Sequence, residues 1–184
     1  DLTPEILEKI EKITHYFQNQ SPPGAIKWVD TTNLHLTIKF IGEIQEESLP
    51  RAKTLIREAV KGFNPFTISV KELGMFPNSN QPRVVWLGIQ GDDSLENIHN
   101  ALNKALEDLG VKPENRGFHP HLTLGRVRRQ TSQEQIREFG RIFSQFRVNT
   151  LGSMEIGEIH LYQSELTRQG PIYTSLYTVP LHQV

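Results

Sequence analysis

Cysteine is absent from the 184 residues. Disulfides and Cys-ligated zinc therefore cannot hold this fold together, and a reducing, cytoplasmic setting is expected. No apolar run approaches the roughly 20 residues that span a bilayer, so no membrane segment is expected. Asp1 to Phe17 read as an amphipathic helix and not as a leader peptide. A strong excess of positive charge is also missing: the net charge is −1. Proteins that coat long nucleic acids carry such an excess. Any nucleic acid handled here should be held by a short end or a loop. The rest of the composition, 36% hydrophobic and 22% charged, suits an ordinary globular chain, long enough for one domain or two small packed lobes.

Periodicity divides the chain into helices and strands. Thr3 can cap a first helix, with Pro4 at its first position and Ile6, Leu7, Ile10, Ile13 and Phe17 on one face. Ser21 to Gly24 make a loop. Leu34 to Ile41 is strand-like, and a helix is predicted near Glu47 to Val60. Strands follow at Phe66–Leu73 and Arg83–Ile89, then a helix from Asp93 to Leu109 stopped by Gly110. Beyond it, His121–Val127 reads as a strand. Thr131 and Glu134 suggest a capping box for a helix carrying Ile136, Phe139 and Phe143. Further strands are expected at Phe146–Thr150, Met154–Tyr162 and Ile172–Val179.

The two halves repeat. His35-Leu36-Thr37 leads to a helix, then Phe66-Thr67-Ile68, then Pro82-Arg83-Val84-Val85-Trp86. His121-Leu122-Thr123 leads to a helix, then Phe146-Arg147-Val148, then Pro171-Ile172-Tyr173. A duplication of this period predicts an α+β fold of two lobes related by a pseudo-twofold. Each lobe would be a mostly antiparallel sheet with helices outside, and residues 1–184 would form a single two-lobed domain. One His-Leu-Thr strand is expected from each lobe, facing the other across a cleft.

Side chains alternate along a strand, so His35 and Thr37 share one face while Leu36 and Ile38 point to the other. His121 and Thr123 share a face in the same way. Two imidazoles and two hydroxyls would then converge, with ring nitrogens on the order of 5–8 Å apart, far enough to hold a phosphate. One imidazole could take a proton from water while the other protonates a departing oxygen, since free imidazole titrates near pH ~6.5. The threonine hydroxyls could hold the non-bridging phosphate oxygens. No metal and no cofactor enters this scheme. A single His on a strand is more often structural; two copies in matching surroundings point to a site.

The other candidates are weaker. His119 reads as a support or strand opener, because no third ligand accompanies His119-Pro120-His121 to make a metal site. Lys39 alternates onto the His35 face, as a phosphate ligand or a solvated charge. Arg126 falls on the face opposite His121 unless Gly125 permits a bulge. Arg83 is either a strand-edge charge or a phosphate ligand, and Trp86 reads as core. His15, His99, His160 and His182 have no companions that raise them above solvated or core roles.

His35-Leu36-Thr37-Ile38-Lys39-Phe40-Ile41-Gly42 and His119-Pro120-His121-Leu122-Thr123-Leu124-Gly125-Arg126 resemble the two signature motifs of the two-histidine phosphoesterases. The resemblance is nearest to the bacterial and archaeal RNA 2′,3′-cyclic phosphodiesterases, long labelled 2′-5′ RNA ligases. It extends to Arg83-Val84-Val85-Trp86-Leu87-Gly88, Leu161-Tyr162-Gln163-Ser164, Gly170-Pro171 and Tyr173. It implies metal-independent opening of 2′,3′-cyclic phosphates to 2′-phosphates, with His35 as proton donor, His121 as proton acceptor, and Thr37 and Thr123 on the phosphate. The alternation of side chains alone does not decide which histidine plays which part. The substrate implied is an RNA end or a cyclic nucleotide. No protein partner is implied, and a monomer is expected. Members usually begin with a short apolar strand ending in Asp-Leu, whereas this chain starts at Asp1-Leu2: either the chain is truncated or one sheet lacks a strand. Two other readings remain: 2′-5′ ligation, which reverses ring opening, and a non-catalytic module that binds nucleotides or RNA ends. All four His and Thr residues are present, which argues against the latter.

Overall fold

A computed structural model describes residues 2–114, 117–167 and 170–182. In chain order its elements are α1 (Pro4–Gln20), β1 (Ile26–Trp28), α2 (Leu49–Val60), β2 (Phe66–Phe76), β3 (Val84–Gly91), α3 (Ser94–Ala105), β4 (His121–Val127), α4 (Gln133–Gln145), β5 (Gly152–Ile156), β6 (Glu158–Leu166) and β7 (Pro171–Pro180). Among the described residues no helix is long and apolar enough to cross a membrane. The first helix begins as its sequence signals require. Thr3 accepts a bond from the Ile6 amide and Pro4 opens the first turn; Asp1 lies outside the described residues.

Mixed helix and antiparallel sheet make up two units, as expected of an α+β chain. The first comprises Asp1–Thr37, Ile68–Gln90 and His119–Met154; the second comprises Ile38–Thr67, Gly91–Phe118 and Glu155–Val184. The partition does not follow the two sequence halves. Both His-Leu-Thr triplets fall in the first unit.

The first unit is built on a five-stranded sheet of order β1-β4-β3-β2-β5. Its core face carries Ile68, Val70, Val85, Leu87, Leu122 and Leu124, all buried. α1 and α4 pack through aromatic side chains, with Phe17 stacked on Phe143 at 3.6 Å between ring centroids. Such pairs add to the area term, which is about 1.5–3 kcal/mol per fully buried large apolar side chain. In the second unit, α2 buries Ala52, Ile56 and Val60 while α3 buries Leu95, Ile98 and Leu102. The inward stripes match the helical spacing read from sequence. β6 and β7 form a two-stranded ribbon. After α3 a short 3-10 turn ends at Gly110, whose φ of 76° is the left-handed cap that glycine adopts without strain.

Three local expectations are corrected. The capping box of α4 is Ser132 with Gln135, one residue later than Thr131 with Glu134. Thr131 is not available for it, because its hydroxyl donates to the Ala25 carbonyl. Residues 146–150 form no strand. Arg147 there turns its guanidinium back onto the carbonyls of Ser144 and Phe146, at the C-terminal end of α4. Residues 34–41 pair with a strand only at the isolated bridge Leu36↔Leu122. The next carbonyl, Ile38 O, is instead taken by the ring Nδ1 of His99. His99 is thus a buried core histidine, stacked on Phe118 at 4.4 Å.

Candidate active site

β1, β4 and the segment around His35 build one face of the first unit. The antiparallel bridge pairs Leu36 with Leu122. Extending that register by one residue each way sets His35 opposite Thr123 and Thr37 opposite His121. Leu122 is fully buried, so alternation turns both imidazoles and both hydroxyls onto the other face of the same sheet. The two histidines are diagonal neighbours. Positions so related in an antiparallel pair lie about 7–8 Å apart at Cα, within reach of long side chains. The bridge thus joins the two His-Leu-Thr segments side by side within one unit.

The two rings are anchored identically. His35 Nδ1 donates to Asn33 O at 2.8 Å, and His121 Nδ1 donates to His119 O at 2.6 Å. A carbonyl can only accept, so Nδ1 carries the hydrogen in both and Nε2 is the nitrogen that gains or loses a proton. Each carbonyl comes from the residue two positions earlier. His119 thus supports the site through its backbone. Asn33 ends a short 3-10 turn, Thr31–Asn33, whose cap is Asp30. The Asp30 carboxylate accepts from the Thr32 hydroxyl (2.6 Å) and amide (2.9 Å). These bonds hold its carboxyl below the usual aspartate range, the hydroxyl being the larger cause.

Aromatic side chains flank His121. Phe76 meets it edge to face at 5.1 Å and Trp86 lies at 6.2 Å. Trp86 pairs across the sheet with Thr123. It is half-buried on the site face, in contrast to the core position expected from sequence. Its indole lies flat over Gly74, where a Cβ would stand 2.1 Å from Cζ2. The buried Nε1 has no hydrogen-bond partner among the described residues.

The register of β3 and β4 shifts between Val85 and Trp86. Trp86 pairs with Thr123 but Val85 pairs with Gly125, so Leu124 and Gly125 both face the core opposite one residue. The bulge reverses the alternation beyond it. Arg126, paired with Val84, is thereby returned to the His121 face and is exposed. Gly125 suits the bend for a second reason, since a Cβ there would come within 2.8 Å of Ile26. Arg83 is exposed just before β3, its carbonyl accepting from the Val127 amide. Lys39 belongs to the second unit. Its ammonium pairs with Glu114 Oε1 at 3.1 Å and donates to Lys112 O, and its side chain is only 3% exposed. Among the described residues, no group of three or more His, Asp or Glu is arranged to hold a metal ion.

Local sequence pattern does not reveal the anchoring carbonyls or the glycine under Trp86. Nor does it single out Lys27. That residue lies in a three-residue strand, too short for alternation to identify, and pairs directly with Arg126.

Comparison with known proteins shows the family. A family model described as the 2'-5' RNA ligase superfamily matches residues 3–168. A curated protein of Methanothermobacter thermautotrophicus, named RNA 2',3'-cyclic phosphodiesterase, is 36% identical over 157 residues, covering 85% of this chain and 83% of the relative. One of the same name from Methanocaldococcus jannaschii is 38% identical over 173 residues, covering 94% and 92%. The crystal structure of Escherichia coli LigT complexed with 3'-AMP superposes with a TM-score of 0.74 at 30% identity, covering 100% of this chain and 95% of the other. That of TT0787 from Thermus thermophilus gives 0.79 at 26% identity, covering 99% and 94%. By the family match along nearly its whole length and by these identities, the chain belongs to the 2'-5' RNA ligase superfamily.

Proposed function

We propose that this chain hydrolyses 2′,3′-cyclic phosphates at RNA ends, and on nucleosides, to 2′-phosphates. The observation that carries the reading is the bridge Leu36↔Leu122, which joins the two His-Leu-Thr segments, together with the matching Nδ1 anchors of their imidazoles. His121 Nε2 accepts a proton from the attacking water. His35, protonated, gives the proton on its Nε2 to the departing 3′ oxygen. The assignment of donor and acceptor follows the family resemblance, because the two anchors are alike. Thr37 and Thr123 donate to the non-bridging oxygens, where charge develops in the transition state. Arg126, exposed on the same face, supplies a positive charge to the same phosphate. Arg83, at the start of β3, is assigned the weaker role of raising the local potential. Lys39 is assigned no contact with phosphate, since Glu114 already neutralises it.

The relatives' name supports hydrolysis as the reaction, and the superfamily's name keeps ligation as the reverse of the same step. With water abundant, ring opening is the favoured direction. The test is turnover of a nucleoside 2′,3′-cyclic phosphate in excess EDTA, with the product read by phosphorus NMR. A 2′-phosphate is expected. His35→Ala and His121→Ala should each lower kcat by about 10²-fold or more while staying folded, as removal of one proton transfer implies. Near wild-type turnover in either folded variant, or loss of activity in EDTA, would refute the mechanism.

A further inference from the structure

Lys27 and Arg126 face each other directly across β1 and β4. Both are exposed, and neither takes part in an ion pair among the described residues. Like charges set opposite one another on a sheet weaken the pairing. Folding alone thus gives no reason for this arrangement, whereas two neighbouring phosphates of an RNA end, one beside each cation, would relieve it. The face they occupy is the site face, because Arg126 shares it with Val84, Trp86, Thr123 and His121 through the bulged register. The first unit as a whole carries 11 Lys and Arg against 8 Asp and Glu, and the second 9 against 13. The charge of −1 over the chain therefore conceals an electropositive unit that holds the site.

β1 and the His35 segment lie along the same edge of β4. Val29, just after β1, donates to Leu124 O, and Leu36 then bridges to Leu122. Going outward from the histidines along this edge, Arg126 comes first beyond the bulge, about 7 Å from Thr123, because three residues of β4 there span only the two from Trp86 to Val84 on β3. Lys27 stands one strand further out, about 4.8 Å to the side. Its flexible ammonium suits a phosphate at this outer position.

We propose that Lys27 forms a second phosphate subsite, which takes the diester linking the terminal nucleotide to the one before it. This rests on the proposed hydrolysis of cyclic phosphates and adds to it that oligonucleotide ends, not free cyclic nucleotides, are the preferred substrate. A nucleoside cyclic phosphate has no second phosphate and leaves Lys27 unused.

The experiment compares a nucleoside 2′,3′-cyclic phosphate with a dinucleotide ending in the same cyclic phosphate, using wild type, Lys27→Gln and Lys27→Arg. The wild type should show the lower KM on the dinucleotide. Lys27→Gln should raise that KM about tenfold with little change in kcat and leave mononucleotide kinetics alone. It should also reduce the salt dependence of log kcat/KM by about 0.7, the slope that neutralising one phosphate of a single strand contributes. Lys27→Arg should keep most of the preference. Lys27→Gln relieves a like-charge pair at an exposed position, so it should fold at least as well as wild type. Equal losses on both substrates, or no loss on either, would overturn the subsite while mononucleotide turnover still upheld the hydrolase. Turnover of neither substrate by the wild type would overturn both.

Discussion

Replacing Gly74 with alanine tests how the site is supported. A Cβ at this position would stand 2.1, 2.2 and 2.5 Å from Cζ2, Cη2 and Cε2 of Trp86. Carbon atoms settle at about 3.5–4 Å, so the indole has to retreat by more than ~1 Å. The indole is a rigid plate that moves only by its two side-chain torsions, and other rings lie close to it. Phe76 packs on it at 4.9 Å and the His121 ring lies at 6.2 Å. Retreat therefore strains the aromatic cluster or swings the indole into solvent. Overpacking of this kind costs about 1–3 kcal/mol. For a chain of this size that corresponds to a fall in melting temperature of roughly 2–12 °C. Displacement of the ring beside His121 should also lower kcat by about 10–10²-fold, as misplacement on the order of 1 Å does. Thermal unfolding by circular dichroism and kcat/KM on a nucleoside cyclic phosphate read both effects. Trp86→Phe removes the overlapping atoms, so the double variant Gly74→Ala/Trp86→Phe should be destabilised by less than the two single changes together, a coupling that a double-mutant cycle isolates. A Gly74→Ala protein within about 0.5 kcal/mol of wild type and fully active would refute the argument, and so would strict additivity in the cycle.

Two further outcomes follow from the anchors and hydroxyls. Thr→Ser at 37 or 123 should retain most activity, whereas Thr→Val, nearly the same shape without a donor, should lower kcat by about 10²-fold or somewhat less in a cleft open to water; a fully active Val variant at both positions would make the hydroxyls structural. Asp30 has its carboxyl lowered by Thr32, so its support of the His35 turn is complete above the ordinary aspartate value of about 3.9 and fades as pH falls through the lower folded value. The gap in melting temperature between wild type and Asp30→Ala should therefore narrow on acidification; an unchanged gap between neutral and strongly acidic pH would rule out the ionised carboxylate as its source.

Sequence alone determined the inward faces of α1, α2, α3 and α4, because helical spacing leaves few ways to bury Phe17, Ile56, Ile98 or Phe139. It also determined that each His shares a face with its Thr, since strand alternation is a property of the chain itself. Tertiary structure decided what depends on residues far apart. It placed both triplets in one unit, joined by the Leu36↔Leu122 bridge. The repeat suggests one per lobe, but a repeat in sequence does not specify which strand each copy will pair with. Lys39 shows the same dependence: its commitment is made by Glu114, distant in sequence. The face of Arg126 is conditional on a bulge, and a bulge is a relation between two strands; only the pairing of Val85 with Gly125 puts it on the His121 face. β1, three residues long, can be recognised as a strand only beside β4. The place of Lys27 next to the site is therefore fixed by cross-strand pairing, to which local sequence pattern contributes almost nothing.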